Sequence, residues 1–337
     1  MGSIPAGGVF YYINKGYEMN IIVMDLEWNQ NSLGKKERSS DKPVFEVIEI
    51  GAVKLNEDYE IVDRFSQLIK PQIYHTMHRV TADLIHLQMK ELKKGKDFPV
   101  VMKDFMEWCG EDYIFATWGP LDLLELQRNN KYYKLEPLSD KPIRFYDVQK
   151  LFSIGIMKEK TRKTLEFAID YFQIEKEIPF HRAFSDAYYT AKVFQKLVNP
   201  DILQFVSFDT FHIPKDKKEE IKIAFPGYHK YISRGFLTKN EVMEDKEVAS
   251  TKCYLCHKNL KKKIRWHSNN GKNYNSISYC DVHGYIKYKC RIKKSEDGEY
   301  YAVKTSKFIT EEKMKKLQDE WNRDKEIKKM KNRKQNN

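Results

Sequence analysis

Hydrophobic positions predict an α/β domain in the first 200 residues. Continuous or alternating apolar residues predict strands at 20–28, 45–55, 61–69 and 114–117. Apolar residues at helical spacing predict helices at 81–89, 100–109 and 121–129. Further structured segments follow at 145–151, 164–172 and 184–198, and the pattern ends near Pro200. We therefore expect one domain over residues 19–200.

The segments outside this domain differ from it in pattern. Residues 201–250 are interpreted as a helical linker, 251–300 as a small basic module, and 301–337 as a charged helix with a lysine-rich end. Residues 1–18 show no periodic pattern of hydrophobic residues. Because the stretch 15–19 can be back-translated as a ribosome-binding sequence, we interpret 1–18 as a non-native leader and Met19 as the native start.

Composition narrows the class of protein. Hydrophobic residues make up 41% of the 337 positions, which is enough for a sizeable core, and no apolar run reaches the roughly 18 residues of a membrane span. No signal-peptide pattern is present at the N-terminus. Five cysteines, two of them in a Cys-x-x-Cys pair, are typical of a reducing compartment. We expect a cytoplasmic protein with no membrane association.

The net charge of +12 comes from the last quarter of the chain. Residues 252–337 hold 24 Lys and Arg against 10 Asp and Glu, whereas the first 251 residues hold 36 against 38. This excess predicts a surface that binds a polyanion, and the alternative is an ordinary solvated surface.

Acidic residues stand at the ends of predicted elements. Asp25 and Glu27 lie two apart on the first strand, so their carboxylates point to one face. Desolvated carboxylates are costly unless a cation is present, and Mg²⁺ or Mn²⁺ prefers such oxygen ligands. Asp122, in the first turn of a predicted helix, could by itself be a helix cap. The first pair therefore predicts a site for divalent metal.

A histidine and an aspartate form the most specific element. His181 follows Pro179 in a predicted loop, and Asp186 lies five residues later in the last helix of the domain. An imidazole, with an ordinary pKa near 6.5, can accept a proton from water at neutral pH. The pattern therefore indicates acid–base chemistry near the metal site.

In order and context these motifs resemble those of the DEDDh 3′–5′ exonucleases, which are DnaQ-like proteins with a ribonuclease H-like fold. The resemblance covers about residues 19–198. Glu46-Val-Ile-Glu-Ile-Gly-Ala-Val and Trp118-Gly119-x-x-Asp122 make it most similar to a stand-alone branch of the family. This branch includes the bacterial inhibitor of the sporulation kinase pathway and the eukaryotic histone-mRNA exonucleases. The resemblance implies a mixed five-stranded sheet flanked by helices, and a hydrolase.

The resemblance also implies roles for the five motif residues. Asp25, Glu27 and Asp186 hold one Mg²⁺ or Mn²⁺, Asp25 and Asp122 hold a second, and His181 is the general base. The expected reaction removes nucleoside 5′-monophosphates from the 3′ ends of single-stranded RNA or DNA. The alternative is a non-catalytic regulator or nucleic-acid-binding protein that keeps the fold.

Four residues are expected to contact the terminal nucleotide by the same resemblance. Leu26 and Trp28 alternate with the acids of the first strand, and Leu84 and Ile85 occupy the place of a segment that wedges the terminal bases. Many relatives have a small residue or threonine where this chain has Trp28. For Leu84 and Ile85, an ordinary amphipathic helix face is the alternative.

Cysteine spacing predicts a zinc site in the C-terminal module, which we expect to be zinc-ribbon-like. Its expected ligands are Cys253, Cys256, Cys280 and His283, in two short knuckles separated by 23 residues. Cys290 is the alternative fourth ligand, and His257 and His267 are weaker ones. A redox Cys-x-x-Cys is the rival interpretation. Cys109, in a helical pattern, is expected in the core.

Basic and aromatic residues surround the knuckles. Lys262, Arg265 and Trp266 are expected to bind single-stranded nucleic acid through phosphate neutralisation and base stacking. The alternative for the aromatic residues is packing within a small domain.

Overall fold

The structure is a computed structural model, and it describes residues 19–30, 42–85, 87–159, 161–268 and 270–335. The expected leader over residues 1–18 lies outside the described residues. The described chain forms two compact units that divide between Phe211 and His212. Within these ranges no helix is long and apolar enough to cross a membrane.

The first unit is built on a mixed sheet of six strands. They are β1 (Asn20–Gln30), β2 (Phe45–Leu55), β3 (Ile61–Leu68), β4 (Tyr113–Thr117), β5 (Arg144–Asp147) and β6 (Ser207–Phe208). Their order in the sheet is β3-β2-β1-β4-β5-β6, with β1 antiparallel to β2 and parallel to β4. The predicted α/β fold is confirmed. The sheet has six strands rather than five because the two-residue β6 pairs with β5.

Eight described helices accompany this sheet. They are α1 (Arg79–Ile85), α2 (Met89–Leu92), α3 (Phe98–Cys109), α4 (Leu121–Tyr132), α5 (Val148–Gly155), α6 (Leu165–Tyr171), α7 (Ala183–Lys196) and α8 (Pro200–Leu203). The helix predicted over 81–89 is instead two short helices. The Glu91 side chain accepts a hydrogen bond from the Gln88 N–H at 2.8 Å, which starts α2 afresh.

Burial of β1 and β2 explains where acidic side chains can gather. Positions 21–24 of β1 and nearly all of β2 are buried. Beyond Met24 the strand carries half-buried acids on one face, while Leu26 on the other face enters the core. α7 packs against β1 and β2, so the end of β1 and the start of α7 are neighbours.

The second unit is an antiparallel sheet with two helices. Its elements are β7 (Ile221–Phe225), β8 (Tyr228–Ile232), α9 (Lys239–Glu244), β9 (Lys261–Ser268), β10 (Asn273–Cys280), β11 (Gly284–Lys294), β12 (Tyr300–Ile309) and α10 (Glu311–Gln335). The strand order is β7-β8-β12-β11-β10-β9. The charged helix expected after residue 300 is present as α10, and it begins only after β12.

The prediction of a helical linker over residues 201–250 is wrong. This interval contains β6 and the hairpin of β7 and β8, and β8 pairs with β12. The segment Ile221–Phe225 has a single polar residue, Lys222, among apolar ones, and five residues are too few to be separated from loop by sequence alone. The C-terminal sheet therefore extends on both sides of the module predicted at 251–300.

Candidate active site

Asp25 and Glu27 share one face of β1, as their spacing predicts. Asp25 lies opposite Gly51 and Glu27 opposite Glu49 in the register with β2. The intervening Leu26 is buried in the core. A central strand with an apolar first half therefore delivers two carboxylates to the edge of the interior.

α7 brings a third carboxylate to this face. Asp186 lies in the first turn of α7, and one carboxylate oxygen from each of Asp25, Glu27 and Asp186 lies within 4.8 Å of the others. The Asp186 Oδ1 is buried and has no hydrogen-bond partner within the described residues. Three hard oxygen donors, one of them without a partner, fit the ligand preference of Mg²⁺ or Mn²⁺.

Asp122 supplies a fourth carboxylate, whose charge acts on Asp25. It lies in the first turn of α4 and is 5% exposed; burial raises its pKa, and the backbone N–H groups of Asp122 itself and of Leu26 lower it in part. Its charge raises the pKa of Asp25. The fourth acid thus joins the same cluster, although helix capping alone could have explained it in the sequence.

Burial and mutual repulsion raise the pKa of every acid in the cluster. Burial is the first cause throughout: it raises the pKa of Glu27 to about 8, of Asp122 to about 7 and of Asp186 to about 6. The pKa of Asp25 rises well above its ordinary range through burial and the charge of Asp122. Without a cation Glu27 stays largely protonated at neutral pH and Asp122 partly so, and a bound divalent ion would replace these protons.

His181 stands beside Asp186 in an unusual backbone conformation. It precedes α7, is exposed, and has a φ of 62°, in the left-handed region that costs a non-glycine residue about 1–3 kcal/mol. Burial raises the pKa of Asp186, and the charge and the backbone N–H of His181 lower it in part. The histidine is therefore next to the acids and open to water.

Two further site residues were missed by sequence reasoning. Glu49 on β2 is 1% exposed and forms an ion pair with Arg182, which directly follows His181. The charge of Glu49 contributes to the raised pKa of Asp25, Glu27 and Asp186. The available signal was an acid in an otherwise apolar strand. Which residue pairs with Glu49 depends on the strand register, and the sequence alone does not give that register.

The residues expected at the terminal nucleotide divide into two groups. Leu26 and Ile85 are core residues, 3% and 2% exposed, so neither can present its side chain to a ligand without rearrangement. Leu84 is 46% exposed on α1, and Trp28 is half-buried with its ring 5.3 Å from that of Phe45. Thr81 of α1 donates to the Trp28 carbonyl, so α1 lies beside the end of β1. Leu84 and Trp28 remain candidates for substrate contact.

The raised pKa values predict how the stability of the metal-free protein depends on pH. In a chelator we expect the melting temperature of the first unit to fall as pH rises from about 5 to about 8. In this interval the folded acids keep protons that the unfolded chain, with carboxyl pKa values near 4, has lost, so stability decreases with pH. Thermal unfolding at several pH values with EDTA measures this slope.

Two comparisons sharpen this pH experiment. Glu27→Gln removes one raised pKa and should reduce the slope. Added Mn²⁺ should raise the melting temperature more at pH 8 than at pH 5, because its ligands must lose protons. A melting temperature of the metal-free protein that increases over this interval would contradict the prediction.

A separate group of metal-ligating atoms lies in the second unit. One ligand atom each from Cys253, Cys256, Cys280 and His283 lies within 4.8 Å of all the others. The Cys256 Sγ is 3.7 Å from the Cys280 Sγ, and the His283 Nδ1 is 3.5 Å from the Cys253 Sγ and 3.6 Å from the Cys280 Sγ. Tetrahedral zinc with Zn–S near 2.3 Å and Zn–N near 2.0–2.1 Å requires edges of about 3.8 Å between sulfurs and about 3.5–3.6 Å between sulfur and nitrogen. The three distances agree with these edges.

The alternative ligands lie outside this group. Cys290 is buried in an apolar cluster with Tyr231 and Val242. His257 and His267 are not members of the group either. Cys109, 1% exposed, is in the core of the first unit as expected. Among the alternatives left open by the sequence, only His283 lies with the three cysteines in the part of the chain that the structure describes.

The three residues expected to hold nucleic acid in the second unit differ in their surroundings. Lys262 and Arg265 are exposed on β9, which is an edge strand. Trp266 is half-buried, its indole N–H donates to the Ala249 carbonyl at 2.9 Å, and its ring packs 6.2 Å from that of Tyr288. The indole is therefore engaged in packing, which is the alternative that the sequence left open.

Comparison with known proteins identifies the first unit. The family model described as exonuclease (RNase T) matches residues 22–194, slightly more than half of the chain. A PolC-type DNA polymerase III from Oceanobacillus iheyensis is 27% identical over 160 residues, which are 46% of this chain and 11% of the polymerase. The chain thus spans only about a ninth of that relative.

Solved structures resemble the first unit at low identity. A full-length 3′-exonuclease is 20% identical with a TM-score of 0.46, over 54% of this chain and 82% of that chain. The nuclease domain of 3′hExo, a DEDDh family member, is 18% identical with a TM-score of 0.45, over 54% and 93%. Exonuclease I of E. coli is 11% identical with a TM-score of 0.41, over 56% and 43%. The assignment rests on the family match: the chain belongs to the RNase T-type exonuclease family, as the resemblance of its motifs implied.

Proposed function

We propose that this protein is a metal-dependent 3′–5′ exonuclease that removes nucleoside 5′-monophosphates from single-stranded RNA or DNA. The observation that carries the proposal is the convergence of four carboxylates from β1, α4 and α7 next to an exposed histidine. The family match supports hydrolysis from a chain end. The choice of the 3′ end follows from the resemblance to DEDDh enzymes.

Two divalent ions are assigned to the four carboxylates. Asp25, Glu27 and Asp186 would hold one Mg²⁺ or Mn²⁺, and Asp25 and Asp122 a second. The unpartnered Oδ1 of Asp186 and the raised pKa values support this assignment, because both are relieved by a cation. When bound, such ions supply an activated water and stabilise the charge on the leaving oxygen.

His181 is assigned as the general base. Its exposed imidazole stands next to Asp186 and can take a proton from water. The exposed Leu84 and the half-buried Trp28 are the side chains beside the end of β1 that we assign to the terminal nucleotide.

The second unit is assigned a structural zinc and a substrate-holding role. The zinc is supported by the agreement of the three ligand distances with tetrahedral edges. The exposure of Lys262 and Arg265 supports a role in contacting phosphates, and Trp266 is removed from the substrate-binding set because it packs inside the unit. Lysines on an edge strand also oppose pairing between sheets, so this assignment is the less specific one.

The direct test is degradation of a 5′-labelled single-stranded oligonucleotide with Mn²⁺. We expect stepwise shortening from the 3′ end, and matched RNA and DNA strands will show the preference for sugar. His181→Asn should lower kcat by about 10²–10⁴-fold, the usual contribution of a general base. Asparagine tolerates a positive φ, so the fold should persist.

The matched control is His257→Asn. His257 is also exposed and has a φ of 59°, but it lies in the second unit outside both ligand groups, so kcat should stay within about twofold of wild type. Absence of shortening by the wild-type protein would overturn the exonuclease proposal. Wild-type turnover by His181→Asn would overturn the general-base assignment alone.

A further inference from the structure

The start of α7 is tied to β2 by a buried ion pair outside the metal-ligand set. The Arg182 guanidinium donates to both oxygens of Glu49, with Nη2 at 2.7 Å and Nε at 3.0 Å. The Ala183 backbone N–H donates to the same carboxylate at 3.4 Å. The Glu49 side chain is 1% exposed and that of Arg182 38%. A bidentate pair of this kind fixes orientation as well as distance.

A close approach of backbones adds to this ion pair. Gly51 lies two residues from Glu49 on the same face of β2, and a Cβ built on Gly51 would be 2.0 Å from the Phe184 backbone nitrogen and 2.1 Å from the Ala183 carbonyl carbon. Any side chain at position 51 would therefore push the first turn of α7 away from the sheet.

Both groups needed for the chemistry are attached to this turn. His181 immediately precedes Arg182, and its left-handed φ of 62° needs support from its surroundings. The Asp186 N–H donates to the Arg182 carbonyl at 3.0 Å, so the backbone of Arg182 is also part of the first helical turn. A shift of the turn would move the base and a metal ligand together.

Arg182 engages Glu49, which lies outside the group of metal-ligating atoms found in the described residues. Glu49 lies opposite Glu27 in the sheet, and its charge raises the pKa of Glu27, whereas the Arg182 charge lowers it. Because Arg182 and Ala183 occupy the Glu49 oxygens, that carboxylate is directed to α7 instead of to a metal ion.

We propose that Glu49, Arg182 and Gly51 form a clamp that positions His181 and Asp186 for hydrolysis. The clamp residues are positioning residues, and they need no contact with substrate. This inference rests on the proposed function. It goes beyond it by assigning the alignment of the base and one metal ligand to a pair of residues on different elements.

Removing one partner alone leaves a buried charge, so the decisive variant replaces both. Glu49→Met together with Arg182→Met keeps an apolar filling of similar shape. We expect kcat to fall about 100-fold, the effect of a displacement near 1 Å, with KM for the oligonucleotide within about threefold. The single variant Arg182→Lys keeps the positive charge but loses the bidentate geometry. Its kcat should therefore lie between those of the double variant and of the wild type.

Glu220→Gln is the matched control for Glu49→Gln. The side chain of Glu220, in the second unit, is also nearly fully buried. Its carboxylate accepts hydrogen bonds from the Arg234 side chain at 2.9 Å and from the Arg234 backbone N–H at 3.4 Å. Glu49→Gln should lower kcat about tenfold, and Glu220→Gln should leave kcat within about twofold. A purely structural role predicts equal effects on stability and no separate effect on kcat.

Calorimetric titration with Mn²⁺ tests the clamp without turnover. The double methionine variant should bind Mn²⁺ about tenfold more weakly at the site that contains Asp186, because that ligand moves with the turn. Folded double-variant protein with wild-type kcat and wild-type Mn²⁺ affinity would refute the clamp. If the wild-type protein degrades no oligonucleotide, the proposed function fails, and the Mn²⁺ affinities still decide whether the clamp holds Asp186.

Discussion

Asp25→Asn is expected to abolish turnover and, at the same time, to stabilise the metal-free protein. Asp25 is shared by both proposed metal positions, so its loss should lower kcat at least about 10³-fold, since bound metal supplies several kcal/mol to the transition state. In the absence of metal its carboxylate is repelled by Asp122, Glu27 and Asp186. Asparagine keeps the shape and removes this repulsion.

The stability change is measured by thermal unfolding in EDTA. A gain of about 1 kcal/mol corresponds to a rise of about 2–4 °C for a domain of this size. In Mn²⁺ the order should reverse, because only the wild type gains the binding free energy of the metal. Asp58→Asn, at an exposed turn outside the cluster, is the control and should change neither quantity. An Asp25→Asn protein that is less stable than wild type in EDTA would argue against an electrostatic cost in the cluster.

Cys280→Ala is expected to remove zinc and to unfold the second unit, whereas Cys290→Ala should retain the metal. The two cysteines are matched in burial, at 2% and 0% exposed, and they lie on the neighbouring strands β10 and β11. Only Cys280 belongs to the ligand group. Zinc binding to small domains contributes about 10–16 kcal/mol, so losing one of four ligands should lower the melting temperature of this unit by more than about 10 °C.

Zinc content per chain and thermal unfolding measure the two outcomes. Wild type and Cys290→Ala should carry one zinc each. Cys290→Ala should lose only about 1 kcal/mol of unfolding free energy, as expected for a small truncation in the core. Wild-type protein that is purified from zinc-supplemented medium and contains no zinc would contradict the proposed zinc site. If Cys290→Ala loses zinc and His283→Ala keeps it, the fourth ligand is Cys290 and not His283.

Secondary structure was predictable where the apolar pattern was long. The strand predicted at 45–55 coincides with β2, and that at 20–28 falls two residues short of the end of β1. Both strands are buried over most of their length, so hydrophobicity alone identifies them. The strands β7 and β8 were missed because segments of five residues carry little periodic signal. Their place in the sheet depends on pairing with β12, which is about 70 residues away.

Side-chain environments were predictable only in part. The motif acids and His181 were found because their chemistry restricts residue type and spacing. Trp266 was expected to stack on bases, and Ile85 to wedge them, yet one packs against Tyr288 and the other is 2% exposed. Composition cannot distinguish an aromatic or aliphatic side chain on a surface from one in a core. That distinction depends on which face of each strand or helix is covered.

The amino-acid sequence was sufficient to identify the exonuclease family, and it singled out four acids, a histidine and two cysteine knuckles as candidate site residues. These features depend on residue type and local spacing, which survive without knowledge of the fold. Only the tertiary structure distinguished His283 from Cys290, placed Glu49 opposite Glu27, and paired Glu49 with Arg182, 133 positions away. Strand register and helix docking decide such partners, because they bring together residues whose separation in the chain carries no information about contact.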